Sequence, residues 1–115
     1  MSYKNKISLQ ERKDEVNRVL EKYPDRIPII CEKNIKSKNT PEIDKNKYLV
    51  PNDLTVGQFL YVIRKRLKIG SDKALFLFIN GFIPSSASFI SSIYDQYKDE
   101  DGYLYILYSF ENVFG

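Results

Sequence analysis

The sequence predicts an α+β domain in which four strands form one sheet covered by helices on both faces. Two observations carry this. "ALFLF" (74–78) and "YLYILYSF" (103–110) are apolar at successive positions, the pattern of strands buried on both sides. Residues 55–68 instead carry Val56, Phe59, Leu60, Ile63 and Leu67 at helical spacing, a stripe that covers one face of such a sheet. The spare element for the other face is a helix near the N-terminus.

In chain order, Ser8 with Glu11 reads as a capping box. Val16, Val19, Leu20 and Tyr23 then follow helical spacing. Pro24 pushes its predecessor out of the helical region, so the helix covers 9–22. "RIPIICE" (26–32) reads as a strand with an exposed or irregular side at Pro28, which has no N–H for a ladder. Residues 33–46 are a polar loop, and "KYLVP" (47–51) is a second strand. The helix at 55–68 is capped by Thr55 or Asp53, and Gly70 stands where a left-handed C-terminal cap belongs. Asn80-Gly81 after the third strand signals a tight turn. Phe89, Ile90, Ile93, Tyr94 and Tyr97 predict a further helix within 85–98, "DEDG" (99–102) a turn, and 103–110 the last strand.

A length of 115 residues suggests one domain. No apolar run approaches the ~20 residues that span a bilayer, and "MSYKNKISLQ" has no apolar signal core. Cys31, the one cysteine, fits a reducing, cytoplasmic setting. There is no histidine, which removes the commonest general base and metal ligand. No glycine-rich loop precedes a helix, and "DEDG" lacks the spacing of a calcium loop. Neither an enzyme, a cofactor nor a metal is indicated. Charge is uneven: residues 1–70 hold 16 Lys/Arg against 9 Asp/Glu, and residues 71–115 hold 2 against 6. "RKRLK" (64–68) suits either a helix C-terminus, where cations complement the macrodipole, or a partner contact.

The strand 47–51 raises a question. Alternation puts Lys47 and Leu49 on one side and Tyr48 and Val50 on the other. Pro51 and the adjacent polar loop suggest a sheet edge. An edge apolar on both sides either accepts an added peptide strand or is covered within the fold, and patterning leaves both open.

"RIPIICEK", "PEIDKNKYLVPNDLTVGQFLYVIRKRL" and "YKDEDGYLYILYSFENVFG" resemble the autophagy ubiquitin-like modifiers, the family of GABARAP and the light-chain proteins. The resemblance runs from about Leu9 to Gly115. It implies a ubiquitin-like β-grasp with a mixed four-stranded sheet: a single domain over 1–115, an N-terminal helical extension over about 1–24 and a flexible conjugation tail at 111–115. It also implies a modifier, not an enzyme. An E1-like enzyme activates the glycine with ATP, an E2-like enzyme carries it as a thioester, and Gly115 is joined to phosphatidylethanolamine. The protein is then cytoplasmic until lipidated and autophagosomal afterwards. In many members a cysteine peptidase first removes residues that follow the glycine; nothing follows Gly115 here.

Cargo receptors with an aromatic-x-x-aliphatic motif are the implied partners. Carried over by position, the aromatic-side pocket takes Glu15, Val19, Pro28, Ile30, Lys47, Leu49 and Tyr103. The aliphatic-side pocket takes Tyr48, Val50, Pro51, Leu54, Phe59 and Val62. Arg26 and Arg66 favour acidic flanks. Truncating Tyr48 and Leu49 is expected to cost peptide binding and spare the fold. The chain departs from the family pattern at Tyr103 (often Phe), at Val19 (often Ile), in a longer loop "NIKSKNT" and at the extreme N-terminus. A trafficking or cytoskeletal adaptor that uses the groove without lipidation is the first alternative. A basic nucleic-acid-binding domain is the second, marked by steep salt dependence; the resemblance implies no nucleic-acid partner.

Overall fold

Ser8 and Thr55 start the two long helices. The Ser8 side chain accepts from the Glu11 N–H at 3.2 Å, and Thr55 and Gln58 form a full reciprocal capping box. The structure, a computed structural model, describes residues 2–112. Its elements are α1 (Tyr3–Lys6), α2 (Leu9–Lys22), β1 (Arg26–Lys33), β2 (Lys47–Pro51), α3 (Val56–Leu67), β3 (Phe76–Phe78), α4 (Ile90–Tyr97) and β4 (Leu104–Ser109). Gly115 and most of the expected tail, residues 113–115, lie outside the described residues.

The sheet order is β2-β1-β4-β3. β1 pairs antiparallel with β2 and parallel with β4, while β3 pairs antiparallel with β4. This is the mixed β-grasp arrangement. Pro28 is accommodated because β1 meets β4 only from Ile29 onward. At Pro28 the strand has a partner only on its β2 side, Leu49, so its missing N–H breaks no ladder.

Two apolar layers flank the sheet. On one face Ile29, Cys31, Leu104, Ile106 and Tyr108 meet Phe59 and Ile63 of α3 and Ile90 and Ile93 of α4. On the other, Ile30 and Tyr103 meet Val16 of α2 and Tyr3 of α1. Burial pushes the Cys31 thiol pKa up, with a smaller contribution from the Glu32 charge, so it stays a neutral apolar packer.

α1 and α2 together form the expected N-terminal helical extension, α1 being a short helix that spacing does not reveal and that Ser2 caps. Three expectations are corrected. The left-handed residue ending α3 is Lys68, φ 58°, not Gly70. The last helical turn closes there, the Lys68 N–H reaching back to Arg64 and Lys65, while the Gly70 carbonyl accepts from Lys73 in the next turn. α4 takes only Ile90–Tyr97 of the 85–98 stretch, because Phe89 is extended and bridges Thr55. Finally, β4 is not buried throughout: Leu107 is 38% exposed, because the second apolar layer gathers around Ile30 and Tyr103 instead. The Asn80-Gly81 turn is as expected, with φ 50° and 81°.

The turn before β4 depends on a glycine. Gly102 has φ 94°, and an added Cβ would sit 2.6 Å from Val16 Cγ1. Gly102→Ala is expected to cost about 1–3 kcal/mol in backbone strain and a similar amount in overpacking against α2. Gly81→Ala, with nothing within 4 Å of the new atom, bears only the backbone cost. Urea midpoints compare the two, and equal midpoints would contradict this view of the α2 seat.

Candidate functional site

β2 is an edge strand with β1 as its one partner among the described strands, so its outer backbone edge is open to pairing. Register sorts the expected residues by face. Leu49 lies opposite Pro28 and Lys47 opposite Ile30, and directly opposed residues share a side. Ile30 belongs to the α2-side layer with Tyr103, and Glu15 of α2 accepts from the Tyr103 hydroxyl at 2.8 Å and pairs with Lys47 at 3.2 Å. Val19 lies one turn beyond Glu15 on α2, half-buried. The aromatic-side set is thus brought together on one flank of β2.

The aliphatic-side set occupies the other flank. Val50 and Tyr48 lie opposite Ile27 and Ile29 and join Phe59 in the larger layer, with Leu54 packed at its margin. The Tyr48 and Phe59 rings meet edge to face at 5.5 Å. Burial, then the neighbouring Cys31, pushes the Tyr48 hydroxyl up to about 12, and that hydroxyl donates to the Lys45 carbonyl at 2.6 Å. Pro51 and Val62 are exposed. Phe59 and Ile30, both 0% exposed, form floors and not walls: they support the residues that a ligand would touch.

The two arginines stand apart. Arg26 is level with Pro51 at one end of the β1–β2 pair, its guanidinium 5.3 Å from the Tyr23 ring. Arg66 bonds Asp44 at 2.9 Å, and Asp44 lies in the loop that precedes Lys47, at the other end. One acidic flank therefore does not reach both, and at Arg66 a ligand carboxylate must compete with Asp44.

Sequence reasoning missed Tyr3. Its hydroxyl donates to Glu15, its ring meets Tyr103 edge to face at 5.8 Å, and the Lys47 ammonium lies 4.8 Å from its centroid. The one available signal was an aromatic after a capping serine. Glu15 thus links α1, α2, β2 and the start of β4. Burial tends to raise its pKa, but donation from Tyr3, Tyr103 and Lys47 outweighs this and holds the carboxyl below its ordinary value. Burial tends to lower Lys47, and its contacts with Tyr3 and Glu15 reverse that.

The sign of the Glu15 effect follows. A carboxyl with a depressed folded pKa stabilises the fold above the ordinary carboxylate range and loses that contribution as pH falls through the folded value. Glu15→Gln should therefore lie below wild type in urea midpoint at neutral pH, with the gap closing in acid. A gap that is constant with pH would mean that the carboxylate charge contributes nothing.

Comparison with known proteins agrees with this geometry. A family model described as "Autophagy protein Atg8 ubiquitin like" matches residues 11–115. Autophagy-related protein 8 of Pichia angusta is 58% identical over 113 residues, spanning 98% of this chain and 90% of that one. Autophagy-related protein 8a of Arabidopsis thaliana is 55% identical over 114 residues, spanning 99% and 93%. The crystal structure of Trypanosoma brucei ATG8 superposes with a TM-score of 0.91 at 44% identity, covering 100% of this chain and 98% of that one. By sequence and by fold, the chain belongs to the Atg8 family of ubiquitin-like autophagy proteins.

Proposed function

We propose that this protein is a membrane-conjugated adaptor, not an enzyme: joined through Gly115 to phosphatidylethanolamine, it recruits receptors whose short extended motifs add to β2. The observation that carries the receptor half is the open edge of β2, with half-buried Leu49 on one flank and exposed Pro51 and Val62 on the other. An extended peptide alternates its side chains as β2 does, so an aromatic anchor turns to the Lys47–Leu49 side and an aliphatic one to the Pro51–Val62 side. Exposed Arg26 and Lys47 favour acidic neighbours of the motif.

Family membership supports the conjugation half. Gly115 would be activated with ATP by an E1-like enzyme and passed as a thioester to an E2-like enzyme. The lipid amine then attacks the carbonyl, an amide forms, the thiolate leaves and the amine loses a proton. Glycine suits this passage because no Cβ obstructs its carbonyl. Two acyl chains give stable anchoring where one gives only marginal binding, at ~10⁴ M⁻¹. Where a longer precursor is made, a cysteine peptidase would expose the glycine. Location follows conjugation: cytoplasmic when free, autophagosomal when lipidated. Among the described residues no helix is long and apolar enough to cross a membrane.

Leu49→Ala tests the groove. Truncating an interface anchor costs ~2 kcal/mol, roughly 30-fold in Kd, and titration of a labelled aromatic-x-x-aliphatic peptide reads it; an unchanged Kd removes Leu49 from the pocket. Tyr48 does not serve as the paired substitution expected from sequence. It is 8% exposed, and emptying such an aromatic site costs about 3 kcal/mol or more of fold stability.

Gly115 tests conjugation. Deleting it should abolish lipidation on phosphatidylethanolamine liposomes supplied with ATP and both enzymes, and Gly115→Ala should slow it strongly. Both variants should keep wild-type peptide affinity. Full lipidation of the deletion variant, read by mass spectrometry, would show that Gly115 is not the attachment point, and a wild-type chain that is never lipidated in the same assay would favour the unlipidated adaptor.

A further inference from the structure

The parallel pairing of β1 with β4 sets Lys33 beside Tyr108. The loop that leaves β1 and the chain that leaves β4 therefore emerge at the same end of the sheet. They also touch. The Phe110 N–H donates to Thr40 Oγ1 at 2.8 Å, the Lys38 N–H to Glu111 Oε1 at 3.4 Å, and the Tyr108 hydroxyl to the Pro41 carbonyl at 2.7 Å. The 34–41 loop is fastened to the root of the tail.

At the tip of this loop Ile35 is 93% exposed. Leu107, 38% exposed on β4, lines the same recess of about 450 Å³. The lining of the recess is mixed, with Lys6 and Lys33 against Glu32, Glu42 and Asp44, and the surplus of lysines lies beyond it. Lys36 and Lys38 flank the tip, and Lys68 and Lys73 lie at the α3–β3 connection, which reaches this end because Phe76 of β3 is level with Ser109 of β4; all four lysines are exposed. Of the nearby carboxylates, two are paired with cations and two accept backbone N–H groups and keep their charge. Glu32 accepts from the Tyr3 N–H at 2.8 Å, Glu42 holds Lys33 at 3.2 Å, Asp44 holds Arg66 at 2.9 Å, and Glu111 caps the Lys38 N–H. Asp72, in the α3–β3 connection, is exposed.

We propose that this end is a second, non-covalent contact for an anionic phospholipid surface, with Ile35 entering the interface and the loop lysines meeting headgroup phosphates. The proposal rests on Gly115 as the lipid attachment point. Three residues beyond Asn112 reach at most about 11 Å, so attachment there holds the tail's root, and the loop fastened to it, against the bilayer. A solvent-exposed isoleucine followed in its own loop by exposed Lys36 and Lys38 matches such a surface: the apolar group enters the headgroup boundary and the cations attract anionic lipid. Attachment through one short tether leaves the domain free to tilt; this contact sets its orientation.

The chain has no tryptophan, so Ile35→Trp supplies a unique reporter. Phe89→Trp is the control: Phe89 is 51% exposed and bridges Thr55, beside the Pro51 end of β2 and the opposite end of the sheet, a β1 length of about 23 Å away. Each goes into full-length chain carrying Gly115→Cys, coupled to maleimide-headgroup lipid in vesicles with and without phosphatidylserine. Cys31, 0% exposed, leaves the terminal thiol as the reactive one. Coupling by thiol makes the outcome independent of enzymatic conjugation, so failure of lipidation and failure of this contact are read separately.

The expected result is blue-shifted emission and quenching by brominated acyl chains for the Ile35→Trp reporter, stronger with phosphatidylserine, reduced by salt and by Lys36→Glu with Lys38→Glu, and absent for Phe89→Trp. Emission from Ile35→Trp that is unchanged by coupling, or equal responses of the two reporters, overturns the proposal and returns Ile35 to a protein partner. A response indifferent to phosphatidylserine and to the lysine substitutions overturns the anionic specificity.

Discussion

The parallel ladder between β1 and β4 is the constraint on which the rest depends. Neighbouring parallel strands need a long crossover, and this chain spends β2, α3, β3 and α4 on it. That crossover supplies the helices that bury Ile29, Cys31 and Ile106 on one face. It also leaves β2 on the outside of β1, unpaired on its far edge. The groove is thus a by-product of threading: a hairpin partner with nowhere to be enclosed. A free apolar edge is ordinarily an aggregation liability. Here it is five residues long and ends in Pro51, which limits what else can pair with it.

The second face solves a different problem. α2 seals the sheet with few apolar groups, chiefly Val16, and polar links do much of the seating. Arg12, 7% exposed, reaches fully covered Asp101 at 3.2 Å, and Asp101 also receives the Tyr105 hydroxyl at 2.6 Å. Such a buried pair adds little net stability, because desolvation offsets attraction, yet breaking it leaves a stranded charge. It therefore specifies where α2 sits more than how tightly. The Glu15 cluster works in the same way about one turn further along α2, and there the positioning extends to a groove residue, Lys47.

Much of this was legible in the sequence. Proline, glycine and capping residues mark ends, so α2, β2 and the turn at Asn80-Gly81 fall where spacing and punctuation put them. Alternation along "KYLVP" assigned Leu49 and Tyr48 to opposite flanks correctly, because period two is a local property. What was not legible was set by partners distant in sequence. α1 is barely one turn long, too short for a helical spacing to repeat, and Tyr3 matters only because Glu15 and Tyr103 lie nearby in space. Lys68 takes the left-handed position because helix closure outweighs the intrinsic preference for glycine. Exposure of Leu107 depends on how far the second layer extends, which β4's own residues do not encode. Arg66 looked available until the fold delivered Asp44 to it.

The same topology separates the two proposed surfaces. The groove lies along an edge of the sheet, whereas the tail and the 34–41 loop leave from one end of it. A peptide added to β2 pairs with backbone that no membrane contact needs, so receptor and bilayer can be held at once. The exception is the Asp44–Arg66 corner, where the loop leading into β2 meets the basic end. An acidic receptor flank on that side lies near the same cations that attract anionic lipid, and the two anions compete there. On the Arg26 side the flank is beyond the bilayer's screened field, about a Debye length of 8 Å at physiological salt. On the proposed arrangement, receptor motifs that place their acidic residues at the Arg26 end would keep their charge contribution on the membrane, and those that rely on Arg66 would lose part of it.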